Sequence, residues 1–244
     1  MTDKSIQECK FHISAYDTDM KSDCKLTSIC NYLEETASIH TSNLGTSPEE
    51  FVKRGIAWVL SRLKIEMTRY PEWQEKIRVK SWPRGDIGLF LYRDFIIYDS
   101  DDNILGKATS AWLIIDIAKR RPLRPAPLLK QFAVSDIDEI VLSETLSGIG
   151  KYDKGETIFT KTLRYSDCDI NKHANNVKYV RWMLDALPLE QMETEPIKSF
   201  EINYLKETKM NEKVDISTNK IAEDTYVTTV NKGNETNCKA IIKF

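Results

Sequence analysis

The sequence of 244 residues contains no apolar run longer than five residues; the longest, 56–60 and 111–115, fall far short of the roughly 20 that a membrane-spanning helix needs. Its start, Met1-Thr2-Asp3-Lys4-Ser5-Ile6-Gln7-Glu8, is polar and lacks the apolar centre of a signal peptide, which predicts a cytoplasmic protein. Cysteine is scarce and odd in number: Cys9, Cys24, Cys30, Cys168 and Cys238 include no Cys-x-x-Cys pair, so neither a disulfide framework nor a zinc or redox motif is expected. The three histidines, His12, His40 and His173, never stand four residues apart, which argues against a histidine-rich metal site. Nine glycines form no phosphate-cradling run, and no Gly-x-Ser-x-Gly elbow marks a serine hydrolase. An excess of positive charge is missing as well: the net charge is −2 and the pI near 6.0, which argues against a general nucleic-acid binder. No metal or cofactor is called for.

What is present is ordinary in amount and unusual in order. Hydrophobic residues make up 41% and charged residues 30%, enough for a real core in one large domain or two small ones. The two halves repeat each other. Tyr16-Asp17-Thr18-Asp19-Met20-Lys21-Ser22-Asp23 precedes Leu26, Ile29, Cys30, Leu33 and Ala37, apolar at helical spacing. Tyr165-Ser166-Asp167-Cys168-Asp169-Ile170-Asn171-Lys172-His173 precedes Val177, Val180, Met183, Leu184 and Leu187, again at helical spacing. Both read as amphipathic helices, near 24–44 and 175–187.

Downstream the match continues in strands of period two. Leu63-Lys64-Ile65-Glu66-Met67 answers Phe200-Glu201-Ile202-Asn203-Tyr204, and the stretch 73–81 answers 210–218. Each half then offers a hairpin, one turning through 99–103 and the other through 231–234, where Asp, Asn and Gly tolerate the turn dihedrals. Strand, long helix and four strands, twice over, predict an α+β protein of two fused units, each a long helix laid on a curved antiparallel sheet. The expected division is residues 1–124, a connecting stretch 125–154 and residues 155–244. The connection is read from the wider stretch 122–155, which holds three of the eight prolines and little periodicity.

Comparing the repeats locates a candidate site. Where the second half has Asn171 and His173, the first has Lys21 and Asp23, and the strand alignment sets Glu207 against Tyr70. Only the second half keeps an Asn, a His and a Glu that could converge, so one site per chain is expected. Asn175 and Asn176 read first as helix caps, where Asn is favoured on its own. Cys168, beside an acid and near a histidine, suggests a thiolate nucleophile, but it precedes Asp169 at an expected strand end, and a small buried thiol is the commoner fate of such a residue.

The run Asp169-Ile170-Asn171-Lys172-His173-Ala174-Asn175-Asn176-Val177-Lys178-Tyr179, the later segment 201–208 and Trp58-Val59-Leu60-Ser61-Arg62-Leu63 together resemble the acyl-acyl-carrier-protein thioesterases over essentially the whole chain. The resemblance is to the short bacterial form, without the transit peptide and anchor that lengthen the plant members. It implies two fused hotdog domains, the first non-catalytic and supplying an acyl pocket, the second catalytic. It also implies hydrolysis of the thioester between a fatty acid and acyl carrier protein, in fatty acid biosynthesis, with no cofactor. The implied catalytic residues are Asp169, Asn171, His173 and Glu207. Asn171 can donate to a carbonyl oxygen or orient water, His173 can shuttle a proton near neutral pH, and either Glu207 or Asp169 can serve as general base. Plant members carry a cysteine directly after the matching glutamate; here that residue is Thr208, a departure that tells against a cysteine mechanism. The partner so implied, acyl carrier protein bearing an acyl-phosphopantetheine, is acidic, and Lys119, Arg120, Arg121 and Arg124 form the densest basic cluster that could receive it. Pairing into a homodimer is left open. An acyl-CoA thioesterase and a non-catalytic acyl-binding protein on the same fold are the alternatives.

Overall fold

A computed structural model describes residues 5–125, 140–143, 145–153 and 155–244. The chain divides into two compact units, Met1–Leu146 and Ser147–Phe244. Of the stretch expected to connect them, 125–154, residues 126–139, 144 and 154 lie outside the described residues.

The first unit contains β1 (Gln7–His12), α1 (Leu26–Asn43), α2 (Pro48–Lys53), β2 (Ile56–Met67), β3 (Lys76–Ile87), β4 (Phe90–Tyr98), β5 (Ile104–Asp116) and the short β6 (Arg121–Leu123). Its sheet runs β1-β3-β4-β5-β2, antiparallel at every step, with β6 added beside β5. The second unit contains β7 (Glu156–Thr162), α3 (Asn176–Asp185), α4 (Leu189–Thr194), β8 (Ser199–Tyr204), β9 (Lys213–Ala222), β10 (Thr225–Lys232) and β11 (Glu235–Lys243). Its sheet runs β7-β9-β10-β11-β8, the same order in the same sense. The duplication read from the sequence is therefore a duplication of topology.

In the first unit Leu26, Ile29, Cys30, Leu33 and Ala37 form one buried stripe along α1, which packs on β1 and β3. Each of the leucine and isoleucine side chains so removed from water contributes about 1.5–3 kcal/mol. In the second, Val177, Val180 and Met183 do the same for α3 against β9 and β10. That helix is shorter than its period suggests. It stops at Asp185 because Pro188 follows and disfavours helical backbone before it; Leu187 is buried all the same.

The turns follow the chemistry expected of them, with one shift. Asp99 Oδ1 accepts from the amides of Asp101 and Asn103, both at 2.9 Å, and closes the β4–β5 hairpin. In the β10–β11 hairpin Asn231 and Lys232 belong to the strand, and Gly233-Asn234 alone make the turn, with Gly233 at φ 60°.

Strand β4 departs from a one-sided pattern: Leu91 to Ile97 are all buried. One face carries Arg93 toward His40 of α1. On the other, Ile96 and Trp82 pack with Val141, while Tyr92 and Ala111 pack with Leu146. The end of the supposed connection is thus a lid on the sheet's second face, anchored where Arg84 Nη1 donates to the Ser143 carbonyl at 3.0 Å and Arg62 donates to that of Leu146.

Candidate active site

The two repeats share one turn, atom for atom. In the first, Asp19 Oδ1 accepts from the amides of Lys21 (2.8 Å) and Asp23 (3.2 Å), and Ser22 adopts φ 68°. In the second, Asp169 Oδ1 accepts from the amides of Asn171 (2.8 Å) and His173 (3.3 Å), and Lys172 adopts φ 62°. Buried Asp17 and Asp167 close the preceding helical turns on the amides of Ser14 and Arg164. Asp23 then bridges to Glu72, and His173 to Lys209. This pairing sets Tyr70 opposite Glu207, as the strand alignment has it.

The side chains the shared frame holds are different. Asp169 Oδ2 accepts from Asn171 Nδ2 at 3.3 Å, so three N–H groups of one turn converge on a single carboxylate. Asn171 is exposed, and its Oδ1 and second N–H take no part in the bonds of the turn. His173 Nε2 stands 3.4 Å from Glu207 Oε2, with the two side chains 26% and 33% exposed. The pair is open to water yet partly screened from it. In the first repeat the corresponding positions are Lys21, Asp23 and a Tyr70 whose phenol is pushed up by burial. No acid–base pair can form there near neutral pH.

Glu207 does not lie on a strand, as its place after the helix suggests. Strand β8 ends at Tyr204 because the amides of Leu205 and Lys206 both donate to one acceptor, the Asn237 carbonyl, at 2.9 and 3.0 Å, and the ladder cannot continue. The connection then runs back beside the turn, where the Ala174 amide donates to the Thr208 carbonyl at 2.8 Å.

The start of α3 is capped from within. Asn175 Oδ1 accepts from the Val177 amide at 2.9 Å, so that donor is spent on the cap and is not presented to a substrate. Asn176 is the first helical residue, and its carbonyl accepts from the Tyr204 hydroxyl at 3.2 Å. Cys168 follows the turn Tyr165–Asp167 instead of ending a strand, and it is half-buried, with Sγ 3.6 Å from the Arg164 carbonyl. Desolvation, with Asp167 and Asp169 nearby, raises its pKa, so the thiolate is disfavoured.

A second feature lies in the first unit, where the resemblance implies an acyl pocket but the sequence does not name its lining. Ala37, Pro48, Trp58, Leu91, Tyr92 and Trp112 line an apolar cleft holding about 660 Å³ of space, part of it open to solvent. Arg93 lies on its wall, buried, donating through Nη1 to His40 Nδ1 and Ser81 Oγ, both at 3.1 Å. Burial lowers the guanidinium to about 10, which still leaves it charged at neutral pH. The signal was an Arg-Asp pair inside the apolar run 90–98, where a strand buried on both faces has no reason to carry charge.

Residues 4–129 match the family model for the acyl-ACP thioesterase N-terminal domain, and residues 151–244 that for the C-terminal domain. The chain belongs to the acyl-ACP thioesterase family. Its fold is accordingly that of two fused hotdog units. Oleoyl-acyl carrier protein thioesterase 2 of Arabidopsis thaliana, chloroplastic, is 28% identical over 222 residues, or 84% of this chain and 60% of that protein. The palmitoyl-acyl carrier protein thioesterase of the same plant is 28% identical over 212 residues, covering 81% of this chain and 51% of that protein. The chain thus spans between half and two thirds of the length of these relatives. A crystal structure of an acyl-ACP thioesterase from Bacteroides thetaiotaomicron matches with a TM-score of 0.91 at 28% identity, covering 100% of both chains. The 12:0-ACP thioesterase from Umbellularia californica shares the fold, with a TM-score of 0.87 at 22% identity over 98% of this chain and 96% of that one.

Proposed function

We propose that the chain hydrolyses the thioester of fatty acyl-acyl carrier protein, releasing free fatty acid and ending chain elongation. The observation that carries this reading is the His173–Glu207 pair at 3.4 Å beside the Asn171 turn, present in one repeat and replaced by Asp23 and Tyr70 in the other. Thioester hydrolysis needs a water stripped of a proton and an oxyanion stabilised on the carbonyl. Glu207 and His173 form the acid–base pair: together they take the proton of the attacking water as its oxygen bonds to the carbonyl carbon. They return a proton to sulfur as the C–S bond breaks and the phosphopantetheine thiol leaves. Asn171 contributes its free amide N–H to the developing oxyanion or its Oδ1 to the water. Asp169 is the orienter and not the base. Three N–H groups occupy its oxygens, and Asp19 performs the same task in a repeat that has no acid–base pair.

The apolar cleft of the first unit has the lining a fatty acyl chain requires. For an acidic carrier protein, Lys119, Arg120, Arg121 and Arg124 offer a run of exposed cations on and beside β6. A cytoplasmic setting agrees with five free thiols. Steady-state hydrolysis of one acyl chain offered on carrier protein and on coenzyme A tests the proposal. Turnover with a higher kcat/KM on carrier protein is expected, and a preference for the coenzyme A ester would refute the assignment of partner.

A further inference from the structure

Beneath Glu207 lies a buried polar cluster that the reaction itself does not use. Asn237 of β11 donates through Nδ2 to the Glu207 carbonyl at 3.1 Å and to Thr208 Oγ1 at 2.9 Å. The Tyr179 hydroxyl of α3 donates to the same Thr208 Oγ1 at 2.7 Å. Thr208 is 0% exposed, Asn237 2% and Tyr179 3%. The cluster is not a fully satisfied one, since Asn237 Oδ1 is buried with no hydrogen-bond partner among the described residues. An unpaired buried carbonyl is a net cost to folding.

The first repeat is an internal control for what the fold alone demands. The Cys24 amide donates to the Pro71 carbonyl at 2.8 Å, as that of Ala174 does to Thr208, so Pro71 holds the place of Thr208. The amides of Thr68 and Arg69 both donate to the Leu105 carbonyl, as those of Leu205 and Lys206 do to Asn237, so Leu105 holds the place of Asn237. The amides of Lys25 and Asn175 donate to the carbonyls of Asp17 and Asp167, which puts Ile29 in the place of Tyr179. Ile29, Pro71 and Leu105 are apolar, and the same backbone arrangement forms around them. The fold is content with an apolar cluster here, and only the repeat that carries His173 and Glu207 has the polar one.

We infer that Asn237, Thr208 and Tyr179 are positioning residues, which fix the backbone of residues 207–208 so that the Glu207 carboxylate is held against His173. The inference rests on the proposed acid–base role of that pair. The route is short. Asn237 grips the Glu207 carbonyl, Thr208 is clamped between Asn237 and Tyr179, and the Thr208 carbonyl takes the amide of Ala174, the residue after His173. The residues following each member of the pair are thus tied together, and the tie is tensioned from the core by side chains that touch neither substrate nor water.

The test replaces Asn237 by the residue its repeat partner uses. Asn237→Leu is expected to fold with a melting temperature no lower than the native protein's. Its kcat for acyl-carrier-protein hydrolysis should fall by about tenfold to 10²-fold, the usual cost of slight misplacement of reacting groups, while KM stays within about twofold. Thr208→Val and Tyr179→Phe should lose kcat likewise, and Thr208→Ser, which keeps the hydroxyl, should recover it. Amide exchange at Ala174 gives a readout independent of turnover: its protection should drop in Asn237→Leu and Thr208→Val and persist in Thr208→Ser. A folded Asn237→Leu protein with native kcat and native protection at Ala174 would overturn the inference, as would equal losses in Thr208→Ser and Thr208→Val. Should Asn237→Leu fail to fold, the Thr208 pair decides by the same two readouts. A native protein without turnover of acyl-carrier-protein, but with the expected exchange pattern, would sink the proposed function and leave the positioning cluster standing.

Discussion

Replacing Glu207 by glutamine keeps the side chain's length and its hydrogen bonding but removes its charge and its capacity to take a proton. The geometry allows the two losses to be separated. Opposite unit charges at the observed 3.4 Å attract by about 1 kcal/mol in water and about 5 kcal/mol at an effective dielectric of 20. With the side chains 26% and 33% exposed, the lower end applies, about 1–2 kcal/mol. If Glu207 served only as a charge beside His173, its loss would therefore lower kcat by about 5- to 30-fold, at 1.4 kcal/mol per factor of ten. Loss of a general base costs about 10²- to 10⁴-fold. A fall in kcat of more than about 10²-fold is expected for Glu207→Gln. Acyl-carrier-protein binding and melting temperature should stay close to native, since Asn237 holds the residue by its backbone carbonyl. Steady-state kinetics with direct measurement of released fatty acid reads the effect. A folded variant losing less than about tenfold in kcat would refute the assignment of Glu207 as base, and a collapse in Asp169→Asn alongside it would pass the role to Asp169.

The shared turn yields a paired comparison: Asp19→Ala and Asp169→Ala should each cost about 1–2 kcal/mol of stability in thermal unfolding, because each leaves two turn amides without their acceptor, but only Asp169→Ala should abolish turnover. Cys168→Ser should keep most activity, since the raised pKa keeps the thiol protonated and it donates to a carbonyl of its own turn; an inactive folded variant would restore the thiol mechanism. Leu146→Ala should destabilise by about 2–4 kcal/mol in denaturant unfolding, as expected of a core leucine, and a neutral result would show that Leu146 is not part of the first unit's core.

Which features could be read from the sequence follows from how local their causes are. The stripe Leu26, Ile29, Cys30, Leu33, Ala37 is helical by its spacing alone, and the Asp-rich turn at 99–103 closes on its own side chains, so both were legible. The Asp169–His173 turn was legible because its bonds lie within five residues and because a second copy exists for comparison. The end of β8 before Glu207 was not, since it is decided by the Asn237 carbonyl more than thirty residues away. Nor was the second buried face of β4. Its cover comes from Val141 and Leu146, and an apolar run cannot say which distant segment will lie on it. Buried Arg93 and His40 escaped for a related reason: charge inside the apolar run 90–98 marks Arg93, but its contact with His40 joins a helix and a strand more than fifty residues apart, and nothing local names that partner. Cys168 lies outside the strand end expected for it because a single helical turn, Tyr165–Asp167, follows β7 before it.

Release of free fatty acid from acyl-carrier-protein by the native protein and by His173→Ala, measured side by side with a folding control, tests the central claim most directly. Turnover by the native protein, lost by about 10²-fold or more in a folded His173→Ala protein, is the predicted result. Near-native turnover by that variant would contradict the account.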